Sequence, residues 1–160
     1  MWKELLDSIV DRSSTPPPVV AKLGLPPIDG WENGRVWGAW QVDTELFNAA
    51  GALFGGYLAA LADSFTGLAM MTTLAEDEWF TTSDLRVSYF RPVLAGKLEI
   101  AAEVVNRGRR LAHCECVFVN DDDRVVAKAT ATQVIQPLGE RSDGFSGRMR
   151  GAIMGPEATP

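Results

Sequence analysis

Apolar positions along the chain change their period twice. Residues 1–12 place Trp2, Leu5, Leu6, Ile9 and Val10 on one side of a short amphipathic helix. Residues 48–73, NAAGALFGGYLAALADSFTGLAMMTT, form the longest low-charge run. Helical spacing starts there at Gly55-Gly56, and Leu58, Leu61, Phe65 and Leu68 follow at steps of three and four. The opposite side is mostly Ala, Gly, Ser and Thr, so the pattern predicts a helix buried all round that ends near Leu74. Its one charged residue is Asp63. A carboxylate in a buried helix is costly without partners, so Asp63 is the first residue to explain.

Beyond Leu74 the period falls to two. Residues 81–90 set Leu85, Val87 and Tyr89 against Arg86, Ser88 and Phe90, and Pro92 ends the run. Residues 97–105 alternate Leu98, Ile100, Ala102 and Val104 with Glu99 and Glu103. Residues 111–119 put Ala112, Cys114, Cys116 and Phe118 on one face and His113 and Glu115 on the other. Residues 124–135, rich in Val, Ala and Thr, make a last strand, and turn-forming runs at 106–109 and 120–123 separate these segments. A first strand at 34–42 precedes the helix. Short turns join antiparallel neighbours, so the expected fold is α+β, one helix packed across an antiparallel sheet. One sheet cannot enclose so apolar a helix, and a second copy would finish the burial. Residues 13–34, rich in Pro and Gly, read as an irregular arm, and the tail after Pro137 as loose.

Composition narrows the function classes. The 160 residues suit one domain, and 46% hydrophobic with 22% charged residues is globular. A net charge of −6 argues against a nucleic-acid partner. No apolar run reaches the roughly 18 residues of a membrane span, and the N-terminus lacks a signal peptide's pattern. Cys114 and Cys116 point the same way along one strand, so they should pack as free thiols in a reducing, cytoplasmic protein. One histidine and two cysteines on one face give no metal-ligand spacing, and no cofactor is expected. No G-x-S-x-G, phosphate-binding loop or dinucleotide fingerprint is present.

The run Asn48-Ala49-Ala50-Gly51-Ala52-Leu53-Phe54-Gly55-Gly56, with Asp63 seven residues on, resembles the hotdog-fold acyl-CoA thioesterases, in particular the PaaI-like and acyl-CoA thioesterase 13-like branch. The stretches Asp84-Leu85-Arg86-Val87-Ser88-Tyr89-Phe90-Arg91-Pro92 and Asn106-Arg107-Gly108-Arg109-Arg110-Leu111-Ala112 match the same branch. The resemblance covers about residues 34–136. It implies an antiparallel sheet of five to six strands around one long central helix; residues 1–33, a helix and Pro/Gly-rich arm, and 137–160, expected to be a flexible tail, lie outside it. It further implies Asp63 as the catalytic carboxylate and the Gly55 N–H as the donor that polarises the thioester carbonyl. Asn48 would orient that carbonyl or the water, and Thr82 would position the water. The family's His before Gly-Gly is Phe54 here, which removes one polar contact at the carbonyl. The implied assembly is a homodimer as the minimal unit, with a tetramer as the larger form. Asn48 and Gly55 of one protomer would then face Asp63 and Thr82 of the other.

Elementary chemistry agrees with this assignment. Thioester hydrolysis needs a base or nucleophile and a donor for the oxyanion. A helix start offers unpaired N–H groups and a positive dipole end, and Gly55 and Gly56 let an acyl group approach the backbone. Each residue also has a plainer explanation. Asp63 could be a hydrogen-bonded structural acid, Asn48 a turn former and Thr82 an ordinary strand residue. His113 suits a surface role. Arg107, Arg109 and Arg110 surround one turn and are either a solvated turn or a dock for CoA phosphates. Phe47, Phe54 and Trp79 are candidates for an apolar acyl pocket or for core packing. The leading expectation is acyl-CoA hydrolysis; the alternative is a non-catalytic acyl-CoA binding or sensing module on the same fold.

Overall fold

The structure is a computed structural model that describes residues 1–138. Its centre is helix α3, Gly55–Met71. Ala, Leu and Met favour this helix intrinsically. Phe54 precedes it with extended backbone, at ψ 124°. At the other end Thr72 closes it, its hydroxyl donating to the Ala69 carbonyl at 2.7 Å. The same oxygen accepts the Gly34 N–H at 2.7 Å, tying the helix end to the sheet.

Six strands wrap this helix: β1 Gly30–Glu32, β2 Arg35–Gln41, β3 Glu78–Tyr89, β4 Lys97–Arg107, β5 Leu111–Asn120 and β6 Val125–Pro137. All pairs are antiparallel, in the order β1-β2-β4-β5-β6-β3. The expected sheet around one long helix is therefore present. The alternations predicted for β4 and β5 hold: Leu98, Ile100 and Ala102 are buried, as are Ala112, Cys114, Cys116 and Phe118.

One expected neighbour relation fails. The strands after the helix were expected to pair in sequence, yet β3 and β4 lie on opposite sides of the β5–β6 hairpin. The connection between them carries Pro92 and is no hairpin. Its Val93 carbonyl accepts the Leu53 N–H at 2.8 Å, so the segment crosses the start of α3 instead of folding back. This crossing places β3 at the sheet edge against β6.

The N-terminal segment is more regular than expected. Helix α1, Trp2–Val10, forms as predicted and buries Trp2 and Leu6. Residues 13–34, expected to be irregular, contain helix α2, Pro18–Leu23, and strand β1. Pro18 opens α2, a position where its missing N–H is harmless, and Gly24 closes it with a left-handed φ of 62°. Leu6 and Ile28 are fully buried in the same core as Leu61 and Phe65. The predicted loose tail lies outside the described residues except for Pro137, which ends β6, and Leu138.

Candidate active site

Within the single chain α3 is buried on one side only, in keeping with the expectation that one sheet cannot enclose it. The sheet covers one face, where Leu61, Phe65 and Ala69 are fully buried. The other face carries Gly56 and Asp63 in the open and Ala59, Ala60 and Ser64 half-covered. Large side chains seek the concave sheet, and the small ones are left outward. Asp63 is therefore exposed on the single chain rather than sunk in its core.

Asp63 nonetheless has a partner. The Thr82 hydroxyl donates to its Oδ1 at 2.9 Å. A bulge in β3 makes this meeting possible. The β3–β6 register slips between Thr82 and Asp84, with the Ser83 hydroxyl donating to the Thr132 carbonyl at 3.1 Å. Counting back from Leu85 and Val87, strict alternation would turn Thr82 away from the helix. The extra residue restores it to the inner face, the re-aiming that bulges near functional sites perform.

Gly55 is the first residue of α3, and no side chain caps this helix start. The nearest intrahelical bond there runs from the Tyr57 N–H to the Phe54 carbonyl, at 2.9 Å. Tyr89 at the end of β3 closes over Gly55. Its hydroxyl donates to the Gly55 carbonyl at 2.7 Å, and a Cβ on Gly55 would lie 3.2 Å from the Tyr89 ring. Tyr89 was not among the residues expected from sequence. Its signal was an aromatic hydroxyl on the same face as Leu85 and Val87. The Phe54 ring, 59% exposed, fills the space that a Cβ on Gly56 would need.

Asn48 is exposed and organises the loop that delivers Phe54 and Gly55. Its Oδ1 accepts the Ala50 N–H at 2.9 Å and the Ala52 N–H at 3.4 Å, while Gly51 turns the loop at φ 74°. Within the chain Asn48 forms the turn, with its Oδ1 directed at its own loop.

The three arginines separate. A second bulge, between Val104 and Asn106, brings Arg107 opposite Ala112, and its guanidinium pairs with the Glu78 carboxylate. Arg107 is thereby committed to joining the ends of β4 and β3. Arg109 and Arg110 are exposed in the turn, and among the described residues neither forms an ion pair. Of the suggested acyl-pocket aromatics, Trp79 is buried at the start of β3 and Phe47 is half-buried against the core. Trp79 is ten residues from Tyr89 along β3, about 33 Å at 3.3 Å per residue, so Trp79 and Phe54 do not line one pocket within the chain.

His113 is exposed, with Nδ1 3.3 Å from the Thr132 hydroxyl. Cys114 and Cys116 are free and buried, and burial pushes both thiols up to about 12. Among the described residues no cluster of three His, Cys, Asp or Glu could hold a metal, and no helix is long and apolar enough to cross a membrane.

Comparison with known proteins gives these features a context. A family model described as the thioesterase superfamily matches residues 50–127. A Haemophilus influenzae protein carrying an esterase name is 33% identical over 116 residues, which is 69% of this chain and 80% of that one. The medium/long-chain acyl-CoA thioesterase YigI of Salmonella typhimurium is 29% identical over 100 residues, 54% of this chain and 64% of that one. The crystal structure of a Ralstonia eutropha protein related to phenylacetic acid degradation superposes with a TM-score of 0.71 at 27% identity, covering 81% of this chain and 98% of that one. The chain spans little more than half, 57%, of a Caenorhabditis elegans relative with an esterase name, 36% identical over 98 residues, 60% of this chain.

Proposed function

This chain belongs to the thioesterase superfamily of hotdog fold, and from that premise we propose that it hydrolyses an acyl-CoA thioester to free CoA and a carboxylic acid. Thioester hydrolysis is the activity that family membership supports; the acyl-CoA substrate and the residue roles are our further assignment. The observation that carries it is the 2.9 Å hydrogen bond from Thr82 to an exposed Asp63 carboxylate. A carboxylate oriented by a hydroxyl on an open face can hold a water or attack a carbonyl itself. In the base route Asp63 takes a proton from water, and the hydroxide adds to the carbonyl carbon. The developing oxyanion accepts the Gly55 N–H, the C–S bond breaks, and CoA leaves as thiolate. No cofactor takes part in this scheme.

Geometry supports a site shared between two chains. Gly55 and Asp63 are eight residues apart, about 12 Å along a helix. Both must act within about 3 Å of one thioester, which one helix can hardly arrange. A twofold-related helix laid antiparallel on the small-residue face sets the start of one α3 opposite the middle of the other. The proposed unit is thus a homodimer, with a tetramer as its larger form. Asn48, Gly55 and the overlying Phe54 come from one protomer, Asp63 and Thr82 from its partner. The YigI relative supports acyl-CoA by its name, and Arg109 and Arg110, unpaired among the described residues, offer guanidinium groups for phosphate. Two free, buried cysteines suit a cytoplasmic location.

Phe54 favours the second reading, an acyl-CoA binding module, because an exposed apolar ring stands where the family's His would touch the carbonyl. The two readings part in one assay of free CoA release from a panel of acyl-CoAs. Hydrolysis predicts turnover that falls at least ~10²-fold in Asp63→Asn with the fold intact. Acyl-CoA binding without turnover would establish the module instead, and full turnover by Asp63→Asn would remove Asp63 from the chemistry.

A further inference from the structure

Gln133 lies on β6, and it is fully buried. Both its Nε2 and its Oε1 lack a hydrogen-bond partner among the described residues. Unpaired buried amides are rare in native proteins, and each asks for a reason. The inner face of β6 is otherwise small or apolar, with Ala127, Ala129, Ala131 and Ile135 all buried. A long polar side chain in that row works against packing unless its carboxamide is used.

Its place in the sheet suggests the use. Gln133 stands directly opposite Thr82 on β3 and opposite Ala112 on β5. Directly paired residues of antiparallel strands share a face, with Cβ atoms about 4.5–5.5 Å apart. Thr82 points to the helix, since its hydroxyl reaches Asp63, and Gln133 is buried under the same helix. Ala112 on the far side offers no polar atom of its side chain to the carboxamide. The Thr82 hydroxyl has one proton, already donated to Asp63, and two lone pairs that remain acceptors. The carboxamide N–H is the donor such an oxygen lacks. A single water between the two groups would supply the missing partner, as buried waters commonly do for otherwise unpaired polar atoms.

We infer that Gln133 is a positioning residue for the proposed hydrolysis: through one buried water its carboxamide fixes the Thr82 hydroxyl, which in turn orients the Asp63 carboxylate. The inference rests on the function proposed above. It goes beyond it by assigning a buried residue behind the site, one that touches neither substrate nor the attacking water. The chain of bonds runs from amide N–H to water, from water O–H to Thr82 Oγ1, and from Thr82 O–H to Asp63 Oδ1.

The test compares Gln133→Leu, Thr82→Ala and the double variant in acyl-CoA hydrolysis, with Gln133→Met as a second apolar replacement should Leu not fold. Wild type and Asp63→Asn are assayed first, so that failure of the hydrolase reading shows there and not in the Gln133 variants. Gln133→Leu is expected to lower kcat about 10-fold, within the range that slight misplacement of a catalytic group costs, with KM and Tm held or Tm raised. In the Thr82→Ala background the same change should have no further effect, because its route to Asp63 is gone. A readout independent of activity accompanies this: the side-chain amide resonances of Gln133 should show a cross-peak to bound water and should shift in Thr82→Ala. Wild-type kcat in both apolar variants, losses that multiply in the double variant, or an amide resonance without bound water that ignores Thr82→Ala would each overturn the inference.

Discussion

On its sheet side α3 presents Leu58, Leu61, Phe65 and Met70, all buried; on its outward side it presents Gly56, Ala59, Ala60 and Asp63, open or half-covered. Both sides are poor in charge, so hydropathy treats them alike. Size separates them. The large side chains interlock with the strands and hold the fold together. The small ones leave a flat backbone surface that another helix can approach closely, since interaxial distance follows the side chains at the contact. The one acid stands on that second face, already oriented by Thr82. One face of the helix thus serves stability, and the other is the face on which the proposed assembly and chemistry rest.

The largest effects should come from breaking each face separately. Phe65→Ala removes a fully buried ring and should cost about 3–5 kcal/mol in denaturant unfolding. Ala60→Glu puts a charge at a half-covered position and should leave the chain folded while weakening self-association and acyl-CoA turnover together, read by sedimentation and by CoA release. An Ala60→Glu protein that associates and turns over like wild type would show that no second copy covers this face.

A smaller effect should separate substrate recruitment from architecture. Replacing Arg109 and Arg110 by Ala should raise KM for acyl-CoA by a few-fold, in keeping with exposed ion pairs of about 0.2–1 kcal/mol. A short thioester lacking the nucleotide should be unaffected. Arg107→Ala should instead lower stability through the loss of Glu78. Equal KM changes on both substrates would return Arg109 and Arg110 to a solvated turn.

The smallest effect sharpens the sealed side. Cys114 and Cys116 face the core, and burial raises their pKa to about 12. At pH 8 alkylation should be slow in the folded protein and fast once denaturant opens it. An unfolded thiol titrates near 8.5. The folded value is higher, so the thiols' contribution to stability is complete below about 8.5. It is lost as pH rises toward about 12. Cys→Ala variants should flatten that alkaline decline; rapid labelling of the native protein would mean that the inner face opens.

Much of this was legible in the sequence. The strands β4 and β5 and the span of α3 follow from apolar period, because one buried face forces the alternation or the helical stripe. The long-range events were not legible. No local pattern marks the crossing of residues 90–96 over the start of α3, which moves β3 to the far edge. The bulge at Ser83 is equally silent, and it alone brings Thr82 to Asp63. That Asp63 lies exposed on the single chain was not legible either, because hydropathy cannot tell a face that packs on a sheet from an open one. The Phe54-Gly55 loop and the Asn48 turn were visible as residues, whereas Tyr89 over Gly55 required the fold.

The shared site is the central claim, and complementation tests it most directly. Asp63→Ala removes the carboxylate. Gly55→Pro removes the N–H donor at a position that accepts proline: it is the first helical residue, and Phe54 before it is already extended at ψ 124°. The exposed Tyr89 ring has room to yield to the added carbons. Each homodimer should be nearly inactive. Unfolded and refolded together in equal amounts, the two variants should form about half heterodimers, each with one intact site of two, and roughly one quarter of wild-type activity should return. A mixture that stays inactive while mass spectrometry shows the heterodimers would contradict a site built from two chains.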